Sequence, residues 1–166
     1  ESRPGFADHD PEVRVGDNVD PWRRCVGART KIDYIFMTVL RKAAQAVEVV
    51  QFYLTRANKI NPKLNAYITM NEDIIKQATY WDSKIAAGEN LEEKKLLGVP
   101  FGIKDMLCTK KIPTTAASKI LQNFIPPYDA TVVRKLKKAG ITVLGKLNQD
   151  EFAMGSSNET SYFGPT

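Results

Sequence analysis

Histidine is almost missing from this chain: His9 is the single one in 166 residues. Cysteine is scarce as well. Cys25 and Cys108 stand far apart, in no C-x-x-C pair and not beside the histidine. This argues against a zinc centre and a disulfide framework, and it suits a reducing compartment. It also leaves Cys108 without a nearby histidine to activate it as a nucleophile. No run is long and apolar enough to span a bilayer. The polar, acidic first residues lack the basic-then-apolar pattern of a secretory leader. A strong charge of either sign is missing too, since the net charge is only +5. The lysines are scattered, with one local group in "VVRKLKKAG" that reads as the solvated face of a helix. A nucleic-acid binder would cluster them on one face.

What is present is enough for a globular core, with 43% hydrophobic and 26% charged residues. The length suits one domain or a piece of a larger one. Residues 1–36 mix Pro, Gly, Asp and Arg without a sustained period, and read as irregular or disordered. From Met37 the pattern changes. Leu40, Ala43, Val47, Val50, Leu54 and Ala57 form one apolar stripe on a helix of roughly five turns, with Arg56 and Lys59 near its end and Pro62 as its stop. "LNAYITM" follows as a short strand. A second helix is expected over 72–87, with Ile74, Ala78, Trp81 and Ile85 inward and Gly88 as its terminator. "GENLEEKK" then reads as a solvated connection.

A strand over 96–103 comes next. A helix behind it is expected to be capped by Asp129 and to turn Val132, Val133, Leu136 and Ala139 inward before Gly140. "ITVLGKL" is a β-branched strand. Strand, helix, strand predicts a parallel β-α-β unit in an α/β sheet covered by helices. The tail "NQDEFAMGSSNETSYFGPT" starts at the carboxyl end of the last strand, where ligand loops gather in such sheets. Lys104 lies at the matching end of the preceding strand. Both segments therefore belong on one rim.

Two readings of Lys104 stay open on residue types alone. Emerging behind "GVPFGI", it is expected to be partly desolvated, which favours the neutral amine and allows general-base chemistry. A lysine can replace histidine as the base of a serine nucleophile. The plainer reading is a strand-end charge paired with Asp105 or with water. Ser156 and Ser157 are the first hydroxyls to offer as nucleophile, or they simply brace the loop. Gly155 marks either a tight turn or a close approach of backbone to a ligand.

The stretch "LLGVPFGIKDMLCTKKIPTTAASKIL" resembles the segment around the catalytic lysine of the amidase signature family. "PPYDATVVRKLKKAGITVLGK" and "DEFAMGSSNETSYFGPT" continue the resemblance in order and spacing, from about Met37 to the last residue. "ASKIL", "PYDATVV", "DEFAMGSSNET" and "NPKLNAYIT" are similar to one branch, the A subunits of tRNA-dependent amidotransferases. The resemblance implies a mixed sheet covered by helices, incomplete in this chain, with two N-terminal helices. It implies a Ser, cis-Ser, Lys triad in which Lys104 is the base. Met154, Gly155 and Ser156 would then line the substrate pocket. The substrate implied is glutamine, hydrolysed to release ammonia, with backbone N–H groups of a Gly/Ser-rich loop holding the oxyanion. The ammonia would amidate misacylated Glu-tRNA(Gln) or Asp-tRNA(Asn). No cofactor is implied in this chain; ATP and magnesium are expected at a partner B subunit, with a C subunit bracing the pair. The implied localisation is cytoplasmic, or organellar in a eukaryote.

Both family serines are expected just past Thr166, so the 166-residue chain is expected to be inactive alone, with one third of its triad. Residues 1–36 resemble nothing in the family, and Met37 is the expected natural start. Two other readings remain: an amidase of small amides that needs no tRNA, and a non-catalytic fragment that only binds a partner.

Overall fold

The computed structural model describes residues 35, 39, 40 and 44–166. The reading of 1–36 as irregular falls outside these residues except at Ile35, which is helical and buried. The expected start at Met37 and the stripe position Ala43 also fall outside them.

In order, the chain forms helix α1 (Ala46–Leu64), strand β1 (Tyr67–Met70), helix α2 (Ile74–Ala86), strand β2 (Pro100–Lys104), helix α3 (Thr131–Lys138) and strand β3 (Thr142–Leu147). Short 3-10 turns at Lys119–Leu121 and Glu151–Ala153 complete the set. The sheet is mixed, with order β1-β3-β2. Strand β3 runs antiparallel to β1 and parallel to β2, as the expected β-α-β unit requires. It is buried from Thr142 to Lys146, which suits a central strand covered on both faces.

Two hydrophobic clusters flank the sheet. One gathers Val49 and Val50 of α1 and Ile74 and Ala78 of α2 with Leu97, Val99 and Leu144. The other gathers Ile103, Ile112, Val133, Ile141 and Val143. Neighbours Val143 and Leu144 thus face opposite sides, as strand alternation demands.

A bulge then changes the phase. Phe101 pairs with Val143 but Gly102 pairs with Gly145, so Leu144 is an extra residue on β3. A bulge re-aims every side chain beyond it. Lys146 consequently sits opposite Ile103, on the side of the second cluster. Gly145 supports the pairing with β1. A Cβ there would lie nearly on the Thr69 carbonyl oxygen and 3.2 Å from the Met70 Cα. Gly145→Ala is therefore expected to cost about 3 kcal/mol, read as a lower urea midpoint at unchanged slope. A midpoint equal to that of wild type would refute this packing.

Several expectations need correction. The expected stripe does not lie on one unbroken helix. Val39 and Leu40 are helical, Ala44 and Gln45 are not, and α1 starts at Ala46 behind an extended Gln45 (φ −79°, ψ 150°). The Asp82 carboxylate of α2 accepts from the N–H groups of Ala46 (2.7 Å) and Val47 (3.0 Å), and the Gln45 N–H donates to Glu48 at 2.8 Å. Helix starts need such acceptors. Pro62 does not stop α1 but lies in its last turn, and the helix ends at Asn65, which is left-handed (φ 52°).

Asp129 does not cap α3. The N-cap is Ala130, while Asp129 accepts from the Lys110 N–H and pairs with Lys137 at 2.8 Å. Val132 is 44% exposed rather than inward. The strand expected over 96–103 starts only at Pro100, since 95–98 form turns. Leu91, in the connection expected to be solvated, is buried in the first cluster. The second helix behaves as expected. Gly88 (φ 73°) ends it, with the N–H groups of Gly88 and Glu89 bonding Ile85 and Lys84, the pattern of a Schellman stop.

Candidate active site

The carboxyl ends of β2 and β3 meet at the pair Lys104 and Leu147. The Asp105 N–H continues the ladder to the Leu147 carbonyl at 3.0 Å. The segment after β2 then folds under the loop after β3: the Phe152 N–H donates to the Ala116 carbonyl (2.8 Å) and the Tyr162 N–H to the Ala117 carbonyl (2.9 Å). Lys104 and the "AMGSSNET" loop therefore share one rim.

Lys104 itself is exposed, contrary to the expected desolvation, and it does not pair with Asp105. Lys104 is the last residue of β2 and Asp105 follows it directly, turned to the buried side. Asp105 is fully buried. Its Oδ2 accepts from the Thr115 hydroxyl (2.5 Å), the Thr115 N–H (3.0 Å) and the Ala117 N–H (3.3 Å). Its Oδ1 finds no hydrogen bond and lies 3.7 Å from the Lys146 Nζ.

Lys146 is the lysine whose charge the fold disfavours. It is wholly buried, and its Nζ donates to the Leu107 carbonyl and to the Thr114 hydroxyl, both at 2.7 Å. Burial pushes it down to about 8, against the opposing pull of Asp105 and Cys108; Lys137 lowers it slightly further. The ordinary value is 10.5. Between those two values the unfolded chain still holds a proton that the folded chain has released. Stability from this group is therefore fully present above about pH 10.5 and is lost as pH falls through about 8. The span corresponds to roughly 3 kcal/mol. Lys146→Met is expected to abolish this rise when urea midpoints are compared from pH 7 to 10.5. An identical pH trend in both proteins would contradict it.

Asp150 organises the expected pocket loop. Its carboxylate accepts from the Asn158 N–H (3.0 Å) and from the Thr160 hydroxyl (3.0 Å). The Asn158 bond, followed by those of Thr160 and the charge of Lys104, holds it below the usual carboxylate range although burial opposes this. Gly155 approaches this carboxylate so closely that a Cβ would stand 2.5 Å from the Asp150 Cγ. Its backbone thus approaches a side chain of the same loop.

Met154 is 79% exposed, and Gly155, Ser156 and Ser157 are exposed beside it. Ser157 donates to Glu159 at 2.8 Å. Among the described residues, no hydrogen bond joins either serine to Lys104. The structure thus brings Lys104 and the Met154–Ser156 loop to one rim without assembling a nucleophile and base.

Residue types alone offered Asp105 only as a partner for Lys104 and did not single out Lys146 or Asp150. For Lys146 a signal existed, since a lysine inside the apolar strand "ITVLGKL" has nowhere solvated to go. Strain is concentrated here too. Ala116, Ala117, Phe152 and Ala153 all have φ between 50° and 58°, a cost of order 1 kcal/mol or more each. Among the described residues, no group of three or more His, Cys, Asp or Glu could hold a metal ion, and no helix is long and apolar enough to cross a membrane.

The amidase family model matches residues 48–166. The A subunit of the glutamyl-tRNA(Gln) amidotransferase of Bdellovibrio bacteriovorus is 56% identical over 126 residues, covering 76% of this chain and 25% of that protein. The chain thus spans about a quarter of the length of the curated relatives it matches. Among solved structures, the native peptide amidase of Stenotrophomonas maltophilia superposes with a TM-score of 0.73 at 31% identity, covering 83% of this chain and 29% of the other. The A subunit of the Thermotoga maritima glutamyl-tRNA(Gln) amidotransferase does so with a TM-score of 0.58 at 38% identity, covering 73% and 24%.

Proposed function

The chain belongs to the amidase family, and from that membership we propose that it is the N-terminal part of the glutamine-hydrolysing subunit of a tRNA-dependent amidotransferase. The observation that carries this reading is the 56% identity to a protein of that name over 126 residues, a span that contains most of the described fold.

In the proposed reaction Lys104 acts as the base. A serine attacks the side-chain amide carbon of glutamine and passes its proton through a second serine to the Lys104 amine. The tetrahedral adduct collapses, the amide nitrogen takes up a proton and leaves as ammonia, and water hydrolyses the glutamyl ester. On this reading the two serines are supplied from outside the quarter of the relatives' length that the chain spans. Met154, Gly155 and Ser156 border the glutamine pocket, on a loop that Asp150 holds in shape. ATP and magnesium serve the amidation step at the B subunit, and a C subunit joins the two.

The test is reconstitution. The full-length protein with its B and C partners is expected to convert Glu-tRNA(Gln) to Gln-tRNA(Gln) with glutamine as nitrogen donor. A second reading is favoured by the closer superposition on the peptide amidase, at a TM-score of 0.73 against 0.58. On that reading the full-length protein hydrolyses small amides without partners or tRNA. Rapid turnover of such amides, with no amidated tRNA, would replace the first reading by the second.

A further inference from the structure

We propose that Asp105, Thr115 and Lys146 form a buried positioning unit that aims Lys104 at the reacting serines. The inference rests on the reading of Lys104 as the base. Lys104 is followed directly by Asp105, so whatever fixes Asp105 fixes the direction in which Lys104 leaves the sheet. Every polar part of Asp105 except Oδ1 makes a hydrogen bond. Its N–H holds the end of β3 at Leu147, its carbonyl accepts from the Ala116 N–H at 3.2 Å, and its Oδ2 takes three donors from Thr115 and Ala117. Its Oδ1 has only the Lys146 ammonium, 3.7 Å away.

This unit reaches both walls of the rim. On one side Lys146 reaches into the 107–114 segment through the Leu107 carbonyl and the Thr114 hydroxyl. On the other, Ala116 and Ala117 are held left-handed by the Asp105 carboxylate and carbonyl and receive the Phe152 and Tyr162 N–H groups of the pocket loop. The bulge at Leu144 is what turns Lys146 onto the Asp105 side. A well-packed apolar pair would serve stability as well as a buried ion pair does. The carboxylate here has a further use: it gathers donors from Thr115 and Ala117, which no hydrocarbon could bind. Misplacement of a reacting group by about 1 Å costs on the order of a hundredfold in rate.

The experiment compares Thr115→Val, Lys146→Met and Lys146→Met/Asp105→Asn with wild type in the full-length protein in complex with its partners. Glutamine hydrolysis is followed well below each protein's melting temperature. Thr115→Val removes one donor to Asp105 and the hydroxyl that accepts from the Ala117 N–H at 3.1 Å; it leaves that N–H its bond to Asp105 and keeps both charges, so it is the variant expected to fold. It should lower kcat about tenfold with KM for glutamine changed less than threefold. Lys146→Met should lower kcat about a hundredfold. The double variant should be no worse than Lys146→Met, because paired groups lose their effect together. Amidation supplied with ammonium instead of glutamine should stay at the wild-type rate in all three, a readout that general loosening of the protein would disturb.

Wild-type kcat in folded Thr115→Val and in the double variant would overturn the proposal, as would a change confined to KM. Lys104→Ala runs alongside. If it keeps full activity, the reading of Lys104 as the base fails. If it is inactive while the other variants are normal, only the positioning role fails.

Discussion

Lys104→Ala in the full-length protein is expected to lower kcat for glutamine hydrolysis about a thousandfold, the middle to upper range for loss of a general base. Its unfolding midpoint should stay within about 2 °C of wild type, as for other exposed substitutions. The two halves of this expectation come from different facts. The chemical half follows from the resemblance around "GVPFGIKD" and from the position of Lys104 at the carboxyl end of β2, beside the pocket loop. The structural half follows from exposure: among the described residues, no hydrogen bond or ion pair engages its ammonium. A lysine that adds nothing to stability and yet abolishes turnover when removed is a catalytic group. Thermal unfolding and ammonia release, measured on the same preparation, separate the two halves. An activity loss accompanied by a large fall in melting temperature would mean that the exposed position has been misjudged.

Asp105→Ala is expected to have the opposite profile, with a large loss of stability. Removing the carboxylate leaves the Lys146 ammonium in a fully buried site without its counter-charge, and it takes the acceptor from the Thr115 N–H and hydroxyl. Breaking a buried pair from one side costs about 3–5 kcal/mol, a large part of the roughly 5–15 kcal/mol typical of a domain. Equilibrium urea unfolding of the full-length protein measures it. A loss under about 1 kcal/mol, the range of exposed pairs, would show that solvent reaches Asp105 and Lys146.

The architecture was largely legible in the sequence. The alternating and helical periods of the apolar residues revealed three strands and three helices, and the strand-helix-strand order foretold the parallel pairing of β2 with β3. Two of the misplaced boundaries, at the starts of α1 and α3, share one cause. The break before Ala46 depends on Asp82, a cap supplied from another helix, and no local pattern announces it. Asp129 looks like an N-cap, but tertiary partners Lys110 and Lys137 claim its carboxylate.

The rim that carries the candidate site was legible in location and not in wiring. Lys104 and the "AMGSSNET" loop came to one rim as expected. However, the assignment of burial to Lys104 missed that alternation puts Asp105 inside when Lys104 is outside. The role of Lys146 depends on a single bulge at Leu144, which hydrophobic pattern alone does not fix because β3 is apolar on both faces.

The most direct measurement of the central claim uses two nitrogen donors with one variant. The full-length protein carrying Lys104→Ala is combined with its B and C partners, and Gln-tRNA(Gln) formation is followed with glutamine or with ammonium as donor. If Lys104 is the base that frees ammonia from glutamine, amidation with glutamine is lost and amidation with ammonium proceeds at the wild-type rate. Wild-type amidation from glutamine, or equal loss with both donors, would contradict the account.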